Sequence, residues 1–464
     1  MAQICELNSV KSSRSPAAES NLFTIISSES PFRNQWYAVA PLADLPQDRP
    51  YGIELFNTPL VVFFDRIQKT WNCILDQCKH RCATLSCGTV SADGTLTCFY
   101  HGWQYDGKGY CVNIPSIGAC RKNDKLKVDH FAIHVQAKIL WVFAGLPENA
   151  DVSKMPPTPW GDPKLQSCLF VRDTEFDWLI YNEHNMDRDH LTTAHAKTLK
   201  MLPKPAGPPT RIWGPDPDAR RGFHYLQALS SSSGEQYYST ASFYPPATTI
   251  ATEDRRGCQQ GICFTVTPLA YGRCRLIFLI FRAKRLPVPE FLFHITFARV
   301  TEEDAILVRS QMKRLADRDL AADEAFVSVP VDNAPRDYRA WLRATGGICW
   351  QHEVNQHVKD HSPVQARTLA RASTSIYKRW EGNMHLACRY SQHFRICRTC
   401  QEAHKNLSDA RLCLFLLAAL TLMFLVHAGA KTAWPVFCLA GLMTFSGGTF
   451  LSHYLIQLLE GQRF

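Results

Sequence analysis

The alternation of apolar and polar positions changes character four times along the chain. From about residue 33 to 150 the apolar residues come in short runs separated by Gly, Pro, Asn and Asp, the pattern of strands joined by turns. Runs at 36–40, 52–55 and 60–65 precede a cysteine-rich stretch and a run at 134–142 follows it, which predicts an all-β module. From about 165 to 345 the pattern is mixed. An acidic, histidine-rich helical piece near 178–200 leads into strand-like runs at 276–282 and 291–300. A helix follows in which Ala305, Val308, Met312 and Leu315 recur at helical spacing. This mixture predicts an α+β domain, an antiparallel sheet with helices. Residues 346–385 are polar and show no clear period.

The C-terminal pattern is simpler. Residues 412–430 and 434–459 contain no Lys, Arg, Asp or Glu, and each run is long enough to cross a hydrocarbon core of about 30 Å. Three residues join them, which predicts an antiparallel transmembrane hairpin with the body of the protein and the C-terminus on one side. Gly447 and Gly448, with Ser446, allow close approach of the two helices, and Arg389, Arg395, Arg398, Lys405 and Arg411 suit the positive side of a membrane. The alternative is a hairpin buried in a soluble core. The chain thus divides into an extension (1–31), a β module (32–150), an α+β domain (151–345), a linker (346–411) and the hairpin (412–459).

At 464 residues there is room for two or three domains with cores of their own. The 18 cysteines show no disulfide framework and no secretory signal stands at Met1, so a reducing compartment fits. The first thirty residues are Ser-rich like an organelle targeting signal, yet Glu6, Glu19 and Glu29 are unlike one. A net charge of +9 favours anionic partners such as a lipid surface or an acidic electron carrier. No nucleic-acid motif is present, so nucleic acid is not expected.

Chemistry concentrates in three places. Cys78-Lys79-His80, seventeen residues, then Cys98-Phe99-Tyr100-His101 reads C-x-H-x17-C-x2-H. In a Rieske 2Fe-2S cluster two thiolates hold one iron and two imidazoles the other, and the imidazoles raise the reduction potential. Each half-motif supplies one Cys and one His from a tight loop, and the glycines between and after them permit the turns. A Cys2His2 zinc site is the competing reading, but such sites usually pair Cys with Cys and His with His.

The second place is Glu183-His184-Asn185-Met186-Asp187-Arg188-Asp189-His190-Leu191-Thr192-Thr193-Ala194-His195, or E-x3-D-x2-H-x4-H. Two His and one carboxylate form the facial triad of non-haem Fe(II) sites, which leaves positions open for O2. On a regular helix His195 turns about 140° from His190, so both meet one ion only if the helix is distorted or ends between them. The third ligand comes from elsewhere, with Asp304 the candidate and Glu303 the register alternative; Thr301 with Asp304 also reads as a helix-start capping pair. The third place is Cys397-Arg398-Thr399-Cys400 between His393 and His404. On one helix those histidines lie about 16 Å apart, so one ion cannot take all four groups unless the helix breaks; a redox dithiol is the favoured reading, with a partial metal site or inert thiols as the alternatives. Nearby Arg395, Arg398 and Lys405 would lower the thiol pKa and leave the pair accessible to a soluble dithiol reductase of thioredoxin type.

The stretch 76–81, with Leu85-Ser86-Cys87-Gly88 and Tyr100-His101-Gly102-Trp103, resembles the Rieske domain of ring-hydroxylating and related oxygenases. Lys79 stands where that family usually has Pro. The order of Rieske motif, iron motif, CxxC and hairpin, and the run CRTCQEAHKNL at 397–407, resemble the plastid-type Rieske non-haem iron oxygenases, the group that includes pheophorbide a oxygenase and translocon-associated Rieske proteins. His184 departs from it, since relatives carry Asn there. The resemblance implies one 2Fe-2S cluster on Cys78, His80, Cys98 and His101, and one mononuclear non-haem Fe(II) on His190, His195 and Asp304. It implies that Asp187 is a bridging aspartate to the cluster of a neighbouring subunit, hence a homotrimer. It further implies O2, a chlorophyll-derived tetrapyrrole substrate (pheophorbide a or chlorophyllide a type), a ferredoxin-like donor and a chloroplast membrane with the catalytic body on the stromal side. Oxidation of another lipophilic ring such as a sterol, and a redox-sensing role in a translocon, are the alternatives.

Overall fold

The computed structural model describes residues 32–157, 165–199, 203–213, 222–231, 233–255, 258–283, 288–318, 326–345, 388–428 and 434–461. The expectations for the extension at 1–31, the polar stretch at 346–385 and the 431–433 link lie outside these residues.

The β module holds three small antiparallel sheets. Strand β1 (Trp36–Pro41) is followed by a meander of β2 (Tyr51–Leu55), β3 (Thr58–Asp65) and β4 (Thr70–Leu75). Five short strands carry the cluster loops: β5 (Thr89–Val90), β6 (Leu96–Thr97), β7 (Gln104–Tyr105), β8 (Cys111–Ile114) and β9 (Gly118–Ala119). A third sheet pairs β1 with β11 (Ile139–Phe143) and β11 with β10 (Ile133–Gln136). The run at 134–142 is thus two strands, not one. Ala137 and Lys138 both adopt positive φ (56° and 60°), the backbone of a two-residue hairpin turn whose twist matches the strands. Strand β3 explains how the module is held to the rest. Because side chains alternate across a strand, its Leu60 and Val62 enter the main core while Val61 and Phe63 enter the core beneath the cluster loops.

The α+β part is an eight-stranded antiparallel sheet, in the order β12-β19-β18-β17-β16-β15-β13 with β14 paired to β15. Its strands are β12 (Gln166–Thr174), β13 (Lys204–Pro205), β14 (Thr210–Trp213), β15 (Phe223–Ser230), β16 (Gln236–Tyr244), β17 (Thr248–Arg255), β18 (Cys258–Ala270) and β19 (Arg273–Arg282). Strand β15 alternates buried and half-buried residues throughout, the signature of a sheet with one face on a core. Helices α1 (Trp178–His184), α3 (Glu290–Arg318) and α4 (Asn333–Ala344) pack with it, and the short α2 (Asp189–Thr193) lies beside β13.

Helix α3 corrects two expectations. The run at 291–300 is helical rather than a strand, and Asp304 lies in mid-helix rather than at a helix start. His294, Ala298, Thr301, Ala305, Val308, Met312 and Leu315 form one buried face at alternating spacings of four and three. Phe291 and Ile295 broaden it because they pack in a second cluster beside Cys397, Cys400 and Leu459. Thr301 consequently does not cap Asp304; its hydroxyl donates to the Phe297 and Ala298 carbonyls.

Helices α5 (Arg398–Ala428) and α6 (Trp434–Glu460) form the hairpin. Gly448 allows the close approach, since a Cβ there would lie 2.9 Å from Leu414, whereas Gly447 faces open space. Leu412, Phe415, Leu420, Met423, Met443, Phe450 and Leu451 are each more than half exposed. Among the described residues one helix, over Arg398–Met423, is long and apolar enough to cross a membrane.

Candidate metal centres

The two cluster loops are built on one plan. In the first, the Cys78 amide donates to the Ala83 carbonyl and the Cys82 amide to the Cys78 carbonyl; in the second, the Cys98 amide donates to Trp103 and the Gly102 amide to Cys98, all at 2.8–2.9 Å. Each loop therefore turns back on its cysteine, and each needs a left-handed residue four positions on, Cys82 (φ 55°) in one and Gly102 (φ 71°) in the other. The glycine is the unstrained choice; Cys82 adopts the same conformation with a side chain. This places Cys78 and Cys98 side by side in the core at 1% and 2% exposure, with the His80 and His101 rings 4.5 Å apart at the surface. Trp103 stacks on His80 at 4.6 Å, and the Tyr105 hydroxyl lies 3.2 Å from the Cys78 sulfur. Asp76 anchors the first loop by accepting from the Ser86 amide and hydroxyl. Two buried sulfurs facing two imidazoles, with His80 Nδ1 buried and without a hydrogen-bond partner, suit a 2Fe-2S cluster with mixed ligands.

The second centre joins two distant stretches. Asp177 caps α1 through the Leu179 amide, the helix stops at His184, and Asp187 accepts from the Asp189 amide where α2 begins. Helix α2 ends at Thr193, before His195. The expected break between His190 and His195 is present, and a second one precedes α2. The result is three imidazoles around one carboxylate. Asp304 Oδ1 lies 2.9 Å from His184 Nε2, 2.9 Å from His195 Nε2 and 4.0 Å from His190 Nε2. His195 Nε2, though close, is not aligned with that oxygen as a hydrogen bond; nitrogen and oxygen converge on the space between them. Two of the outer atoms are tied. Glu303 accepts from His195 Nδ1 at 2.7 Å and from the Thr198 hydroxyl at 2.6 Å, so Nδ1 keeps its proton and Nε2 is the nitrogen left to face a metal that displaces its proton. Tyr181 donates to the other oxygen of Asp304 at 3.1 Å. Asp187 Oδ2 is 3.6 Å from His190 Nδ1 and 39% exposed.

Charge follows this geometry. Burial favours the neutral acid of Asp304, yet His184 and His195 hold it far below the usual carboxylate range. Burial opposes charge on His195, but Asp304 and Glu303 push it up to about 9. A negative carboxylate among three imidazoles, with the inward Nε2 of His195 buried and without an aligned partner, is a donor set for a divalent cation of borderline softness. Glu183 is no part of it, being held bidentately by Arg339 at 2.5 and 2.7 Å. Sequence reasoning left out Tyr181 and passed over His184 as a departure; the spacing of both to Asp304 is invisible until α3 is placed.

His404 pairs with Glu460 at 2.9 Å, away from the cysteines as its spacing implied, but at the C-terminal thiols two expectations fail. Cys397 and Cys400 are not accessible: they are 1% and 0% exposed. The neighbouring Cys400 and burial push the Cys397 thiol up, opposite to the lowering expected from Arg395, Arg398 and Lys405. Those cations lie on the solvent side of a segment whose thiols point inward against β1 and β11.

Comparison with known proteins agrees with both centres. The family described as Rieske [2Fe-2S] domain matches residues 35–131, and that described as pheophorbide a oxygenase matches residues 243–320. The chain is 26% identical to the chloroplastic protein TIC 55 of Pisum sativum, over 90% of this chain and 78% of that one. It is also 26% identical to the chloroplastic pheophorbide a oxygenase of Oryza sativa subsp. japonica, over 80% and 73%. Among solved structures, dicamba monooxygenase bound to 3,6-dichlorosalicylic acid superimposes with a TM-score of 0.58 at 20% identity, covering 68% of this chain and 98% of that one.

Proposed function

From a chain that combines a Rieske [2Fe-2S] domain with a pheophorbide a oxygenase domain, and so has the make-up of a Rieske non-haem iron oxygenase, we propose an enzyme that uses O2 to oxidise a chlorophyll-derived tetrapyrrole at a plastid membrane. The observation that carries it is the convergence of His184, His190 and buried Asp304, whose ligand atoms lie within 4.8 Å of one another, with His195 Nε2 2.9 Å from the same carboxylate oxygen, beside an independent set of cluster ligands.

In this reading Cys78, Cys98, His80 and His101 hold the cluster, and His190, His195 and Asp304 hold the iron; together these groups supply single electrons and an O2-binding position. The protein's part is orientation. Glu303 keeps His195 in its Nδ1–H form, and Tyr181 occupies one oxygen of Asp304 so that the other faces the metal. The full burial of His195 and near burial of Asp304 keep bulk water from the open positions. Asp187, half-exposed with Oδ2 3.6 Å from His190 Nδ1, would steer His190 and face the cluster of a neighbouring subunit in a homotrimer, the route for electrons. A small cleft lined by Met186, Arg188, Tyr225, Gln227 and Ser239 lies beside the iron motif. The apolar surface of α5 and α6 keeps the body near lipid, where a lipophilic macrocycle partitions, with the ferredoxin-like donor approaching from the stromal side. Pheophorbide a oxygenase among the relatives supports the substrate class.

The test is turnover. Detergent-purified protein with ferredoxin, its reductase and NADPH should consume O2 and convert pheophorbide a or chlorophyllide a to a product one or two oxygens heavier by mass spectrometry. A cluster that cycles normally while neither pigment is converted would sink the substrate assignment, and conversion of a sterol instead would redirect it.

A further inference from the structure

Ten residues before Asp304 on α3, His294 meets three residues of the approach to the hairpin. Its Nδ1 lies 3.3 Å from the Cys397 sulfur and 3.3 Å from the Cys400 sulfur. His393 Nε2 lies 3.2 Å from the Cys400 sulfur. The four ligand atoms all lie within 4.8 Å of one another, and all four residues are at most 1% exposed. We propose that His294, His393, Cys397 and Cys400 form a tetrahedral zinc site that clips the C-terminal hairpin to the helix carrying Asp304.

Local structure explains why these residues meet where a single helix would not allow it. His393 belongs to a separate π-helical turn (Tyr390–Phe394), and α5 starts only at Arg398, so the chain bends between the histidine and the thiols. The His393 Nδ1 lies 2.5 Å from the Val171 carbonyl and must donate to it. Its Nε2 is therefore a lone pair aimed into the cluster, the arrangement common to liganding histidines. With Zn–S near 2.3 Å and Zn–N near 2.0–2.1 Å, tetrahedral S–N edges are about 3.5 Å, within a few tenths of the distances here. Two thiolates neutralise Zn2+, so the occupied site buries no net charge; binding releases the two thiol protons and changes no oxidation state. Two sulfurs favour zinc over magnesium or calcium, and four protein donors with no exposed face make a structural site, closed to substrate. Next to it, Glu302 accepts bidentately from Arg389 at 2.7 and 2.8 Å and from Arg172 at 3.1 Å, so the same segment is also docked by a buried ion network.

The full-length protein, purified in detergent without chelator, should contain about one zinc per chain in addition to its iron. The variant C397S/C400S should lose that zinc and keep the Rieske EPR signal. Asp304→Ala should keep it, which separates this site from mis-metallation of the iron centre. In wild-type protein Cys397 and Cys400 should resist alkylation until a strong zinc chelator is added, a readout that does not depend on a variant folding. Zinc that persists in C397S/C400S, wild-type protein that stays zinc-free in zinc-supplemented medium, or a Cys397–Cys400 disulfide in the native protein by mass spectrometry would each overturn the assignment.

Discussion

The cluster loops and the iron centre solve the same problem by opposite means. Between Cys78 and His101 every ligand comes from one short stretch, and the turns that present the ligands are closed by their own backbone hydrogen bonds. The proposed iron centre takes His190 from α2, His195 from the turn that follows it and its carboxylate from the middle of α3, more than a hundred residues on. A locally closed site depends on its loops; a site assembled by docking depends on everything that seats α3. The two should therefore fail separately.

The largest effect should come from reciprocal removal of ligands. His101→Cys should abolish turnover and the Rieske EPR signature while chelatable mononuclear iron remains. Asp304→Ala should abolish turnover just as completely, with the mononuclear iron lost and the cluster spectrum unchanged. Loss of both centres in either variant would contradict their independence. Next in size is Asp187→Asn, expected to retain both metals and to reduce turnover on the order of 100-fold, since a partner of a ligating His, not a ligand, is changed. Full iron analysis beside single-turnover kinetics reads it, and unchanged turnover would remove Asp187 from the electron path.

Glu303→Gln is expected to act more gently, lowering iron affinity about tenfold by loosening the tautomer of His195, measured by competition with a chromogenic chelator. The smallest effect compares the two loops with each other. Cys82 holds the left-handed conformation that Gly102 holds in the second loop, so Cys82→Gly should raise stability by about 1 kcal/mol by relieving that strain, seen as a higher Tm. A lower Tm would mean that the Cys82 side chain makes a contact outweighing its backbone.

The same contrast governs what could be read from the chain. The proposed cluster ligands were legible because their spacing within one short stretch is itself the motif, and strands at 36–40, 52–55 and 60–65 were legible because a short apolar run bounded by turn residues is a local signal. Asp304 was reached through family resemblance and not through its surroundings, which pointed to a helix start that the structure does not have. Residues 291–300 looked like a strand because Phe291 and Ile295 add a second apolar face, buried by a hairpin more than a hundred residues away. His294 as the partner of Cys397 and Cys400 was hidden for the same reason. Positive residues around the CxxC suggested reactive thiols; which way a side chain points was decided by packing against β1 and β11.

The most direct test of the account is metal and sulfide stoichiometry with EPR on one anaerobically purified sample. About three irons and two acid-labile sulfides per chain are expected, with a Rieske signal after mild reduction and, after addition of nitric oxide, the high-spin signal of a mononuclear ferrous site. Protein without acid-labile sulfide, carrying zinc on Cys78, His80, Cys98 and His101, would contradict it.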